Sequence, residues 1–478
     1  MACQVGAGRA SIPYPSLVPS RVAVLNIVGL TPSLLGDATP NLVAFARRCG
    51  GIRSIVPDLP AVTCTVQASM LTGTRPSEHG IVGNGWFDRS LNEVHFWKQS
   101  SALVERLRIW DAAHVIDPTV TTANLFWWNA MYSSANITVT PRPIYCADGR
   151  KIPDVWTNPP EWRDALRAEI GAFPLFHFWG PAADIRSTSW IARATMMTVA
   201  KFDPTLTLVY LPHLDYSLQK LGPDHRDIRP ELRQIDSVFG ALLKFFDERG
   251  TRVMVVSEYG ISPVSTPVFP NRVLRDAGFL ALRDELGREV LDAGASRAFA
   301  VCDHQVAHIY VAQESHREEV RRVVQTTPGI EMVLDDAGKR AAGLAHQRAG
   351  DLVAISTAES WFAYPWWHDD SRAPDYARTV DIHRKPGYDP CELFLDPKLL
   401  FAKGRIAWRL FQRKLGMRAL LDVIPLDASL VCGSHGRVEM AHARRPLMMV
   451  DDGDNDDLEV RAHEVQPFIL RQMFGTSS

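Results

Sequence analysis

The 478-residue chain carries no excess of either charge, with 52 Lys and Arg against 54 Asp and Glu. A balance this even offers no electrostatic footprint for nucleic acid or for an anionic membrane. Runs such as "ARRCGGIR" and "HREEVRR" read as solvated faces. No stretch of about 18 apolar residues occurs, so no membrane span is expected. The first twenty residues contain Gly, Pro and Ser but no apolar h-region, as a secretory signal would need. The seven cysteines, at positions 3, 49, 64, 146, 302, 391 and 432, show no CxxC spacing and no even framework. That pattern argues for reduced thiols and a cytoplasmic location. Internal repeats and low-complexity linkers are also missing. What remains is an ordinary globular composition, 46% hydrophobic and 22% charged, long enough for a large core and one smaller lobe.

Four apolar runs read as strands that end in polar or glycine-rich turns: 21–30, 206–215, 252–260 and 349–357. Between the second and third, Leu232, Ile235, Val238, Phe239, Leu242 and Phe246 recur at helical spacing, and Gly250 follows as a stop signal. Strand, helix and strand in that order imply a parallel sheet. Residues 266–375 alternate strand, helix and strand in a compact α+β pattern. They read as a cap lobe inserted between a core of residues 1–265 and its return over 376–478. The acidic "DDGDNDDLE" (451–459) is expected to be an exposed loop before a short final helix.

The most specific signal lies in "PAVTCTVQASMLTGTRPSEHGIVGN" (60–84). Thr63, then Thr72-Gly73, Pro76, His79-Gly80 and Asn84 resemble the nucleophile segment of the alkaline phosphatase superfamily. The branch they resemble is the type I phosphodiesterase/nucleotide pyrophosphatase group, which includes phosphonoacetate hydrolase. "IVGLTPSLLGDATPNLVAFARRCG" is similar to that group's first strand and helix. "YLPHLDYSLQKLGPDH" resembles its Asp-bearing segment, "VVSEYGIS" stands where it has Ser-Asp-His-Gly, and "CGSHGRV" resembles its last metal-binding segment. The resemblance implies an α/β fold: a mostly parallel sheet covered by helices on both faces, with the inserted lobe as substrate cap. It implies Thr63 as nucleophile and Asn84 as holder of a phosphoryl oxygen.

The same resemblance implies two zinc ions, and here the chain departs from it. Residue by residue, the first metal site becomes Asp215, Gln219 and His435, and the second Val28, Thr63, Glu258 and Tyr259. Valine cannot ligate, and Val28 reads as core. A glutamine amide is a poor zinc ligand. A tyrosine ligates only as phenolate, and its ordinary pKa is about 10. Two-metal catalysis needs both ions, so the expectation is one divalent ion (zinc, manganese or iron) held by Asp215, Gln219, Glu258 and His435. Catalysis would then fall to Thr63, Asn84, Glu258 and Tyr259.

Each candidate also has a structural reading. Thr63 serves equally well as a helix cap, Asn84 as a turn residue, and Glu258 with Tyr259 as a hydrogen-bonded pair closing an abandoned metal pocket. Substitute ligands come from His213, two residues before Asp215 on the expected strand, from His304 and His308, and from Asp381 with His383. Arg378, Arg384 and Lys385 lie close enough in sequence to suggest an anion site. Trp127, Trp128, Trp361, Trp366 and Trp367 suit either a pocket wall or lobe packing, and Cys64 and Cys432 read as inert thiols. The expected function is a metal-dependent hydrolase or phosphoryl-transfer enzyme on a small phosphorylated metabolite, drifting toward transfer or lyase-like chemistry. The rival is a non-catalytic relative that binds a phosphorylated ligand or protein. No nucleic-acid or membrane partner is expected, and a homodimer fits as well as a monomer.

Overall fold

The computed structural model describes residues 18–147, 150–415, 417, 419–451 and 459–475. The first seventeen residues and most of the acidic stretch expected as a loop lie outside them; the short final helix is present at Val465–Phe474. No helix among the described residues is long and apolar enough to cross a membrane.

The frame is a nine-stranded sheet. Val22–Ile27 occupies its middle, parallel to Leu206–Leu211 on one side and to Arg252–Val256 on the other. Thr122–Leu125 and Ile137–Pro141 continue the parallel order outward. Leu447–Val450 joins Arg252–Val256 antiparallel, so the far edge is mixed. The central strands are apolar on both faces because helices flank the sheet, and Val22–Ile27 and Leu206–Leu211 are buried throughout. Helix Ile228–Asp247 packs Leu232, Ile235, Phe239, Leu242 and Phe246 inward at the spacing the sequence shows.

A separate four-stranded sheet is built from Ala298–Asp303, Val306–Val311, Leu352–Ser356 and Ile330–Leu334. It has its own apolar core, with Phe299, Tyr310, Trp366 and Trp367 among its members. The run at 349–357 therefore serves this smaller sheet. One expectation changes at the site itself. The strand ends at Leu211, and helix His213–Leu221 begins two residues later. Pro212 cannot donate a backbone hydrogen bond, which favours ending the ladder there. His213 and Asp215 thus sit on a helix's first turn, and strand alternation does not govern where they point.

Candidate active site

Thr63 opens helix Thr63–Thr72, every residue of which is buried, after the extended Val62. Asn84 accepts the Cys64 backbone N–H at 3.0 Å, satisfying one of the free donors at that helix start. Its own N–H and side-chain amide donate to Asp303 at 2.8 and 3.1 Å. Asn84 therefore holds the helix start to the turn of the smaller sheet. Asp215 and Gln219 fall four apart on helix His213–Leu221, hence on one face. Glu258 and Tyr259 leave the end of strand Arg252–Val256, the edge where α/β sheets keep their sites. Gly260 follows because a Cβ there would lie 1.8 Å from the Arg444 carbonyl oxygen. His435 is set by neighbours on both sides: its carbonyl accepts from the Gln305 N–H, and the Gly436 carbonyl accepts from the Ala61 N–H. Gly436 takes φ +120, a conformation that favours glycine.

These elements bring Thr63, Asp215, Gln219, Glu258, Tyr259 and His435 together. The Tyr259 hydroxyl donates to Asp215 Oδ1 at 3.1 Å and lies 3.1 Å from Thr63 Oγ1. Gln219 Nε2 donates to Asp215 Oδ2 at 3.0 Å, and Gln219 Oε1 accepts from the Tyr388 hydroxyl at 2.6 Å. Glu258 Oε2 accepts from Asn26 and Gln67 at 2.7 and 2.8 Å. His435 Nδ1 donates to the Ala61 carbonyl at 2.7 Å; a carbonyl only accepts, so Nε2 is the bare nitrogen. Rings contact in series, each pair with centroids 3.6 Å apart: Tyr259 stacks on His435, His435 meets His304 at a 35° tilt, and His304 stacks on Tyr388.

Burial dominates the electrostatics. Desolvation raises Asp215 to about 7, against hydrogen bonds from Gln219 and Tyr259 that pull it down. It raises Glu258 to about 8, opposed by Asn26, Gln67 and Thr63. It lowers His435 to about 3 and holds His304 well below the usual histidine range, the latter helped by repulsion from His435. Asp303 rises to about 7 for the same reason. At neutral pH the imidazoles are uncharged and Glu258 holds a proton.

The donor set does not fit the paired ions. Val28 is wholly buried hydrocarbon. The Tyr259 phenol occupies Asp215 and its ring covers His435, and burial drives its ionisation well above the ordinary value. Gln219 turns an N–H, rather than an oxygen, toward Asp215. Among the described residues no three His, Cys, Asp or Glu converge as a metal group. Of the expected single-ion set of Asp215, Gln219, Glu258 and His435, Asp215 and Gln219 are taken up by hydrogen bonds to Tyr259, Tyr388 and each other, while His435 Nε2 lies 3.8 Å from Asp215 Oδ1 under the Tyr259 ring.

The other sequence candidates scatter. His213 points to helix Ile228–Asp247, with Nε2 2.8 Å from Glu231. His308 bridges the Val82 carbonyl and the Gly350 N–H. His383 lies 3.2 Å from the Phe96 carbonyl on the cavity wall. The basic cluster is internally paired: buried Lys385 with Asp389 and Glu392 at 2.6 and 2.8 Å, Arg378 with Asp396, and Arg384 with Asp375. Trp361, Trp366 and Trp367 are buried in packing clusters, Trp127 lies in the main core, and Trp128 lines the cavity. Cys64 is buried and Cys432 exposed. Asp303, Tyr388, Asn26 and Gln67 escaped the sequence reading. No motif in the sequence marks them; in the fold Asp303 ends a strand beside His304, which takes φ +58 in the hairpin turn.

Thr63, Asp215, Tyr259 and His304 face a cavity of about 590 Å³. Its walls are mostly apolar and aromatic, among them Trp97, Trp128, Phe178, Trp179, Tyr216 and Tyr388. Lys151 and Asp381 also line it, 3.6 Å apart.

A mostly parallel α/β sheet with a helix-opening threonine and polar groups gathered at its strand ends defines an alkaline-phosphatase-like protein. Residues 22–389 match the type I phosphodiesterase/nucleotide pyrophosphatase family, and the chain belongs to that family. An uncharacterized pyrophosphatase/phosphodiesterase of Schizosaccharomyces pombe is 23% identical over 251 residues, covering 52% of this chain and 46% of the yeast protein. The chain thus spans about half the length of that relative. Among solved structures, human ectonucleotide pyrophosphatase/phosphodiesterase 5 superposes with TM-score 0.57 at 14% identity, over 94% of this chain and 93% of its own. Phosphonoacetate hydrolase from Sinorhizobium meliloti, in complex with phosphonoacetate, gives 0.60 at 14% identity, over 96% of both. At these identities the structural likeness shows the fold alone.

Proposed function

We propose that this chain is a hydrolase or transferase of its family in which Thr63 is activated by a proton relay rather than by a metal ion. The observation that carries this is the chain Thr63–Tyr259–Asp215. Tyr259 has one hydroxyl proton and gives it to Asp215, so Thr63 donates to the Tyr259 oxygen. When Thr63 Oγ1 bonds to the substrate phosphorus, the ester oxygen leaves with its bonding pair, as nitrophenolate does unprotonated, while the Thr63 proton passes to Tyr259 and the Tyr259 proton to Asp215. A carboxyl near pH 7 is well matched to that task. Glu258, neutral below about pH 8, adds no negative charge beside the nucleophile.

The cavity supports a substrate class. Lys151 is its sole Lys or Arg among the described lining residues, and it already has Asp381 beside it. A dianionic phosphate would enter without compensation. A singly charged phosphodiester bearing a bulky aromatic or apolar group suits the aromatic walls better. The test is release of nitrophenolate from bis(4-nitrophenyl) phosphate in the presence of chelator. Turnover that survives chelation and is lost in Thr63→Ala and Asp215→Asn is expected. Turnover only on adding a divalent ion, or an active Thr63→Ala enzyme, overturns the relay.

A further inference from the structure

Helix Ala402–Lys414 is apolar on two opposite sides. Ile406 and Leu410 help line the cavity. On the other side Phe401, just before the helix, Trp408, Phe411 and Leu415 recur at spacings of seven, three and four, which places them in one stripe. All four are exposed, by 83%, 56%, 50% and 60% respectively. The Trp408 and Phe411 rings pack together at 5.8 Å, so the stripe is a built surface. A contiguous exposed apolar patch of this kind marks an interaction site.

The charge around it is one-sided. Residues 395–422 contain seven Lys and Arg and two acids, Asp396 and Asp422, in a chain whose net charge is −2. Arg405 and Arg409 both turn to the single carboxylate of Asp422. Lys403 is exposed, and neither it nor Lys414 makes an ion pair among the described residues. Tryptophan, phenylalanine and leucine on one face, with lysine and arginine along the flanks, is the pattern of a helix that lies in a membrane interface.

We infer that helix Ala402–Lys414 docks on an anionic lipid surface and opens the cavity toward it. Charge complementarity names the occupant, since anionic headgroups meet the basic flanks while Trp408 and Phe411 enter the acyl boundary. Continuity with the cavity supplies the use. Ile406 and Leu410 are the back of the same helix, so docking sets a wall of the cavity beside the bilayer. The even charge of the whole chain hides this local asymmetry. The inference stands whatever chemistry Thr63 performs.

The test is co-sedimentation of the full chain with phosphatidylcholine vesicles, with and without phosphatidylglycerol. Binding is expected only to the anionic vesicles and to weaken as salt is raised. A Trp408→Glu, Phe411→Glu double variant should lose it at unchanged melting temperature, and Lys414→Ala, which removes an exposed lysine three residues after Phe411, should weaken it roughly five-fold. Should the double variant fail to fold, the lysine variant alone decides. No binding to anionic vesicles, binding indifferent to both variants, or a dimer that only the double variant dissociates overturns the inference; the last result would assign the stripe to a second copy.

Discussion

The phenol ring of Tyr259 lies flat on the imidazole of His435, with centroids 3.6 Å apart and planes within 6°. Two residues to which the sequence resemblance would give metal-binding positions are joined here by ring contact. The phenol that covers the histidine also reaches Asp215 and Thr63. One side chain thus touches His435, Asp215 and Thr63 together, and in the proposed relay it joins nucleophile to base.

Metal addition should therefore leave the fold unmoved. Any ion bound to the native state alone would raise the melting temperature as its concentration rises. Scanning calorimetry with zinc, with manganese and with chelator is expected to give one melting temperature. A rise that scales with either ion would show that Tyr259 yields its place.

Tyr259→Phe keeps the ring and removes the relay. Turnover should fall by roughly 10²–10⁴-fold, the range general-base assistance supplies. Stability should fall by about 1–3 kcal/mol, because buried Asp215 loses a donor. Urea denaturation together with initial rates separates the two. A variant of unchanged rate would remove Tyr259 from the mechanism.

Stability should fall on the alkaline side of neutrality. Asp215 and Asp303 titrate near 7 and Glu258 near 8 in the folded chain, against about 4 when unfolded. Their folded values are raised, so the stability they contribute is full below about pH 4 and is lost as pH climbs toward 7 and 8. His79 and His435, lowered to about 3 by burial, act oppositely: their contribution is lost as pH falls below about 6.5. Between about pH 6.5 and 8 the carboxyls dominate, each at up to about 1.4 kcal/mol per pH unit. The denaturation midpoint should drop across that window, and by less in Glu258→Gln. An equal drop in the variant would mean that Glu258 is already ionised.

Lys385 tests the cavity wall formed by Trp179. Buried, it holds Asp389 at 2.6 Å and Glu392 at 2.8 Å, and Glu392 in turn accepts from Trp179 on the cavity wall. Lys385→Met leaves two buried carboxyls without their cation. A loss of about 3–5 kcal/mol in urea denaturation is expected. A neutral result would mean that the carboxyls take up protons at little cost.

Much of the frame was legible because periodicity is local. The apolar runs at 21–30 and 252–260 and the stripe from Leu232 to Phe246 follow from strand and helix geometry, and each appears in the fold within a few residues. The order of the motifs around Thr63, Asp215, Glu258 and His435 showed which residues would meet. The run at 206–215 misled, because apolarity carries past Leu211 while the backbone turns into a helix after Pro212.

Residue identity thus determined that the chain departs from the ligand set the resemblance implies: Val28 has no lone pair to give, and Gln219 no charge. What replaced it was decided only in three dimensions. Ring contact among Tyr259, His435, His304 and Tyr388 joins side chains from four separate segments. The pairing of Lys385, the bare nitrogen of His435 and the exposed stripe on Ala402–Lys414 depend on which atoms burial brings together. Burial is a property of the packed chain, and it sets both the protonation of Glu258 and the exposure of Trp408.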